Sequence, residues 1–186
     1  MKHPSSSPRH SRGFTLMELI VTLTVVGILS AMAAPSFTRM MVSSRLAEQT
    51  NELIGVVAFS RSEAIRRNAT LTLCRVAALN GTTCANSAGQ WQFWVLRNAA
   101  GTAIRNGTVN TYGNTVRITS TLTNDIMNFG SDGLARTGGT LVNASNVDAS
   151  ATSLRVCSTR GGTENIRRVL LNAGSRATTL RETGTC

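Results

Sequence analysis

The sequence predicts an α+β fold in which one long amino-terminal helix packs on a mostly antiparallel β-sheet. An apolar run over residues 14–34 passes into an amphipathic helical pattern that lasts to about residue 68. Six apolar-rich segments of strand length follow, separated by turn-rich stretches. The chain also holds 16 Gly among many Thr, Asn and Ser, with no Pro after Pro35, so no later strand is interrupted by proline.

The 186 residues allow one domain plus extras. Charge is strongly basic, 19 Lys and Arg against 9 Asp and Glu, a formal +10. Both His (His3, His10) and the only Lys (Lys2) fall within the first ten residues. A chain that loses this end has neither residue type. Ser–His–Asp and Cys–His catalysis, Lys Schiff-base chemistry and His-ligated metal sites are then excluded. The carboxylates form no recognisable catalytic motif, so an enzyme is the least expected class, and no cofactor is expected.

Residues 1–13, MKHPSSSPRHSRG, are polar, basic and free of acid. The 21-residue run after them, FTLMELIVTLTVVGILSAMAA, carries one charge, Glu18. As a helix it is about 30 Å long, enough to span a bilayer, and its basic flank places the amino terminus in the cytoplasm. Three readings compete: a secretory signal peptide cut near Ala31-Met32-Ala33, a plain signal anchor, and a prepilin-type leader cut before the apolar run. Glu18 separates them. A carboxylate costs roughly 2.5–3.5 kcal/mol at the centre of a membrane helix, which a disposable segment or simple anchor gains nothing from. Cleavage after Gly13 makes Glu18 the fifth residue, able to pair with the new Phe14 amine of a neighbouring copy.

Gly13-Phe14-Thr15-Leu16-Met17-Glu18 resembles the processing site of type IV pilins and type II secretion pseudopilins. The resemblance implies that a prepilin peptidase cleaves between Gly13 and Phe14 and methylates Phe14, and that Pro35 is the helix-kink proline. The string Arg61-Ser62-Glu63-Ala64-Ile65-Arg66-Arg67-Asn68, followed by Thr70-Leu71-Thr72-Leu73-Cys74, is similar to the GspH/FimT/FimU branch, the minor pilins and minor pseudopilin H. That family implies the same α+β fold and an assembly role. Its expected partners are other minor and major pilins or pseudopilins, the prepilin peptidase and the bacterial inner membrane. The organisation expected is a removed leader (1–13), a transmembrane or filament-core helix half (14–35), an amphipathic helix half (36–68) and a β-rich domain (69–186) in the periplasm.

In the second helix half, Val42, Leu46, Leu53, Val57 and Ala64 form one apolar stripe. Arg39, Arg45, Glu48, Glu52, Arg61 and Arg66 supply polar faces, and Glu63 and Arg67 form an i,i+4 pair in the favourable order. Pro35 lacks a backbone donor, which predicts a kink. Strands are expected over residues 70–77, 91–96, 116–122, 126–129, 152–157 and 166–171. A short strand near 102–105 is expected to pair with 91–96 across 98–101, and residues 137–151 read as a loop. Trp91 and Trp94, three apart on a strand, are expected on opposite sides, one under the helix and one at a subunit contact.

Four cysteines on the exported side allow three disulfide connectivities. Cys74–Cys84 closes a short loop leaving a strand, and Cys157–Cys186 fastens the last residue, so these are the favoured pairs. Without CxxC or His, a metal site is not expected.

From residue 36 onward there are 16 Arg and 8 acids. Six Arg follow residue 154 (Arg155, Arg160, Arg167, Arg168, Arg176, Arg181) against Glu164 and Glu182. The Arg fork suits phosphate, which makes the double-stranded DNA backbone a candidate ligand. The resemblance adds that some FimT-type pilins are implicated in DNA uptake through Gly-Arg-x-Arg. Here residues 172–181 read NAGSRATTLR: Arg176 matches in part, and Arg181 stands at the wrong spacing. The candidate DNA-binding set is Arg176, Arg181, Arg167 and Arg168; the alternative is that these Arg are solvated or pair with acids of neighbouring pilins.

Overall fold

The computed structural model describes residues 13–142 and 153–186; of residues 33–35 and 173 only the backbone is described. The leader up to residue 12 and the 143–151 part of the expected loop lie outside these residues, as does the side chain of Pro35, where the kink is expected. The chain divides into two units, Met1–Arg39 and Met40–Cys186. Helix α1 is Leu16–Arg67. Its first part exposes its apolar side chains, from Leu16 (77%) to Met32, and contains a stretch long and apolar enough to cross a membrane.

In the second unit the expected stripe is the one that packs. Leu46, Leu53, Val57 and Ala64 are buried, and Val42 packs against the same core. The polar residues drawn in with them are satisfied locally: Thr50 donates to the Leu46 carbonyl and Ser60 to that of Val56. Gln49, also buried, accepts from the Asn110 N–H at 3.1 Å, tying the helix to the loop at residue 110.

Among the described residues all strand pairing is antiparallel. One sheet has the order β3-β2-β1-β5-β6-β7, built from β1 (Leu71–Val76), β2 (Phe93–Asn98), β3 (Ala103–Thr108), β5 (Ile126–Phe129), β6 (Ala135–Thr137) and β7 (Thr140–Leu141). The other has the order β10-β9-β8-β4, from β4 (Val116–Ser120), β8 (Ser153–Ser158), β9 (Ile166–Asn172) and β10 (Arg176–Glu182). One core joins the helix stripe to both sheets, through Leu71, Leu73, Leu96, Met127 and Phe129 of the first and Ile118, Leu154, Val156, Val169 and Leu171 of the second. The turn between β9 and β10 is tied to the first sheet where the Ala135 N–H of β6 donates to Ser175 Oγ at 2.7 Å.

Three details differ from expectation. Residues 137–141 are not loop: β6 and β7 form a tight hairpin over Gly138 and Gly139, with φ of 56° and 83°. A two-residue turn of this kind needs φ > 0 at both positions, which Gly-Gly supplies. β10 was not expected, because its sequence RATTLRE lacks an apolar alternation; it is a polar edge strand held in register by β9. Trp91 lies before β2, where its N–H donates to the Ile118 carbonyl at 2.8 Å, so the strand parity applied to it fails. Both Trp91 (1%) and Trp94 (3%) are core, and neither is at an exposed contact.

Trp94 lies directly across from Gly107 on β3. A Cβ at residue 107 would stand 2.2 Å from the Trp94 ring. Gly107→Ala is therefore expected to overpack the core and lower stability by about 1–3 kcal/mol, read as a reduced urea midpoint at unchanged slope.

Candidate functional site

The amino-terminal segment builds its own helix start. Thr15 precedes α1, and its Oγ1 accepts from the Glu18 N–H at 3.2 Å, while Leu19 N–H donates to the Thr15 carbonyl. Thr15-Leu16-Met17-Glu18 thus has the spacing of a capping box, a helix-start signal visible in the sequence itself. Glu18 stands in the first turn, where a carboxylate favours the positive end of the helix dipole. Gly13 and Phe14 lie just before the cap, and Phe14 is exposed. A free amine at Phe14 would sit one residue before the cap, with the carboxylate of Glu18 on the first turn beyond it.

The string at the other end of α1 resolves into a helix stop. Asn68 adopts φ 48°, the Asn68 N–H donates to Ile65 O, and the Ala69 N–H donates to Ala64 O. This is a Schellman ending with Asn in the left-handed position. Glu63 accepts from Arg67 at 2.6 Å, the expected i,i+4 pair, and also from Arg66 at 2.5 Å. Hydrogen bonds from Arg66 first, then Arg67, hold its pKa at about 2 against an ordinary 4.5. Because the folded value is depressed, this stabilisation is complete above pH ~4.5 and is lost as pH falls toward 2. Glu63→Gln is expected to flatten the fall in stability between those pH values, measured by urea unfolding across pH 2–7. Asp132, held at about 2 by Arg136, keeps a residual slope in the same window.

The four candidate DNA-binding Arg do not form one surface. Arg167 is buried: it donates to the carbonyls of Glu164 (2.5 Å) and Ile166 (3.2 Å) and to Ser43 Oγ on α1 (3.3 Å). Burial, with the Arg181 charge, lowers its pKa. Arg168 is also buried and pairs with Glu182 at 2.8 Å. Arg176 and Arg181 are exposed and both on β10, but five residues apart. That odd spacing puts them on opposite strand faces, about 17 Å apart along the strand. Arg181 lies 3.3 Å from Glu164, whereas Arg176 has no ion pair among the described residues.

The cysteines pair as favoured, Cys74–Cys84 and Cys157–Cys186, with Cα–Cα distances of 5.6 Å in both. Among the described residues no group of three His, Cys, Asp or Glu converges as metal ligands.

Residues 49–175 match the family model described as type II transport protein GspH, and residues 8–34 match that of the prokaryotic N-terminal methylation motif. Two crystal structures of the Pseudomonas aeruginosa type IV minor pilin FimU are similar to this chain at 15% sequence identity. One match covers 72% of this chain and 91% of that one with a TM-score of 0.47; the other covers 75% and 90% with a TM-score of 0.48. No curated protein matches the chain.

Proposed function

Because the chain belongs to the GspH family of pilin-type structural subunits, we propose that it is a minor type IV pilin of the FimT/FimU type acting in pilus assembly or its initiation. The prepilin peptidase cuts between Gly13 and Phe14 and methylates the Phe14 amine. The apolar helix half then holds the subunit in the inner membrane with its globular part in the periplasm, until it joins other minor and major pilins. Glu18 pairs with the Phe14 amine of a neighbour and sets the axial register, an attraction little screened in an apolar filament core. The observation that carries this reading is the placement of Glu18 in the first turn of an exposed apolar helix, four residues after Phe14.

The capping geometry dictates the test. Glu18→Ala removes the whole carboxylate side chain and Glu18→Gln removes only its charge, while the Thr15 cap, which uses the backbone N–H of residue 18, is kept in both. Both variants are expected to be cleaved and both to be depleted from filaments, read by immunoblots of membrane and sheared-filament fractions. Normal incorporation of Glu18→Gln would show that the charge does not set the register, and normal incorporation of Glu18→Ala would sink the assembly role.

A second reading, DNA capture for natural transformation, is favoured by exposed Arg176 and the Arg excess of the domain. It predicts binding that weakens steeply with salt. Arg176→Ala should lower the slope of log K against log salt by about 1 while Arg181→Ala, on the opposite strand face and against Glu164, should change it less, and absence of binding at low salt ends this reading. The alternative assembly role is that of minor pseudopilin H in a type II secretion system, which loss of secretion on deletion, with pili intact, would select.

A further inference from the structure

We propose that the groove between α1 and the β9–β10 turn docks an apolar segment bearing a carboxylate, supplied by a different subunit of the filament; this rests on the assembly reading above. The groove has a volume of about 460 Å³, and one wall is Ile54, Ala58, Arg61 and Ile65. Their spacings of 4, 3 and 4 make one helix face, separate from the buried stripe of Leu46, Leu53, Val57 and Ala64 except where Val57 reaches the groove floor. The opposite wall is Ser175, Arg176 and Ala177. The hydrogen bond from Ala135 to Ser175 Oγ fixes that wall, so the groove is formed before anything enters it.

Its chemistry is unbalanced. Ile65 is 48% exposed on this face although the unit buries most of its large apolar side chains. Arg61 and Arg176 bring two positive charges to the same groove, and none of its lining residues is acidic. Neither Arg has an ion pair among the described residues, and the nearby turn acid Asp132 is taken by Arg136 at 2.6 Å. A carboxylate between the two guanidinium groups would accept charge-assisted hydrogen bonds while apolar neighbours cover Ile65. A second copy of this chain suits the groove poorly, since 16 Arg and 8 acids from residue 36 on make copies repel. A different, more acidic subunit fits.

The test uses the full chain in cells that assemble the filament. A photo-crosslinking amino acid replaces Ile65 in one strain and Arg117, an exposed strand residue outside the groove, in another. The expected result is an adduct from position 65 alone. Peptide mapping should place it on another filament subunit, in an apolar stretch containing Asp or Glu. Arg61→Glu with Arg176→Glu should cut the yield roughly tenfold or more, with both disulfides and the thermal midpoint retained. The milder Arg61→Gln, Arg176→Gln pair should cut it in the same direction, and changing the mapped acid to Arg should restore yield to the charge-reversed variant. Equal adducts at both positions, an adduct to a second copy alone, a mapped segment without an acid, or a yield indifferent to charge would overturn the proposal. Incorporation of the unaltered chain is scored in the same cells. If it incorporates normally while the crosslinks fail, only the groove assignment is lost; if it never enters a filament, the subunit reading fails and this proposal with it.

Discussion

Asp125→Ala is expected to lower the stability of the globular unit by about 3–5 kcal/mol, a large part of the roughly 5–15 kcal/mol a domain has. Asp125 is fully buried, accepts from Arg75 Nε at 2.8 Å and also accepts from the Ser120 hydroxyl. Arg75 in turn donates to the Ser87 carbonyl at 2.6 Å. This carboxylate therefore joins β1, the end of β4 and the loop beyond Cys84. Removing it leaves the Arg75 guanidinium, whose side chain is only 13% exposed, without its counter-charge. Replacing both partners together, Arg75→Met with Asp125→Asn, should recover most of the loss, because the desolvation cost goes with the charges while Asn tolerates the left-handed backbone at position 125. Urea unfolding of the single and double variants gives the coupling directly. A loss below about 1 kcal/mol in Asp125→Ala would place the pair in the range of exposed ion pairs.

The Arg75–Asp125 pair also marks the limit of what the sequence discloses. Glu63 and Arg67 were legible because a helix turns i and i+4 onto one face whatever else the chain does. Arg75 and Asp125 stand 50 residues apart, and Asp125 reaches its partner from a left-handed backbone position at φ 56° that no pattern announces. The same division runs through the candidate site. Gly13, Phe14, Thr15 and Glu18 fall within six consecutive residues, so both the processing motif and the helix cap can be read along the chain. The basic carboxyl-terminal Arg depend on which strand face each residue takes. Arg167 and Arg168 look available as a pair, yet β9 turns one inward to Ser43 of α1 and sets the other against Glu182. β10 stayed hidden for a related reason: an edge strand needs no apolar alternation when its neighbour supplies the pairing. The groove at Arg61 and Arg176 was invisible because its walls are over a hundred residues apart.

Loss of the Cys157–Cys186 bond should cost more than loss of Cys74–Cys84. The bridged residues are 29 and 10 positions apart, and loop-closure entropy assigns about 3.6 and about 2.8 kcal/mol to loops of these lengths. Cys157→Ser with Cys186→Ser is then expected to lower the thermal midpoint by roughly 7–14 °C. The carboxyl-terminal tail has other ties that resist this. Asn165 and Gly184 exchange two hydrogen bonds, at 2.8 and 3.0 Å, the Glu164 N–H donates to Thr183 Oγ1 at 2.8 Å, and Arg155 donates to the Thr185 carbonyl. If these hold the tail in place without the disulfide, the loss will fall short of the entropy figure and amide exchange at Gly184 will stay slow. If they do not, exchange at Gly184 will rise with the fall in midpoint, and Asn165, buried at 2%, will lose its two bonds to Gly184 and keep only the Ser158 carbonyl. A larger loss from Cys74→Ser with Cys84→Ser would reverse the order and assign the difference to packing. Cys74 is fully buried beside Val95 and Val76, and a serine hydroxyl there brings a desolvation cost that loop length does not contain.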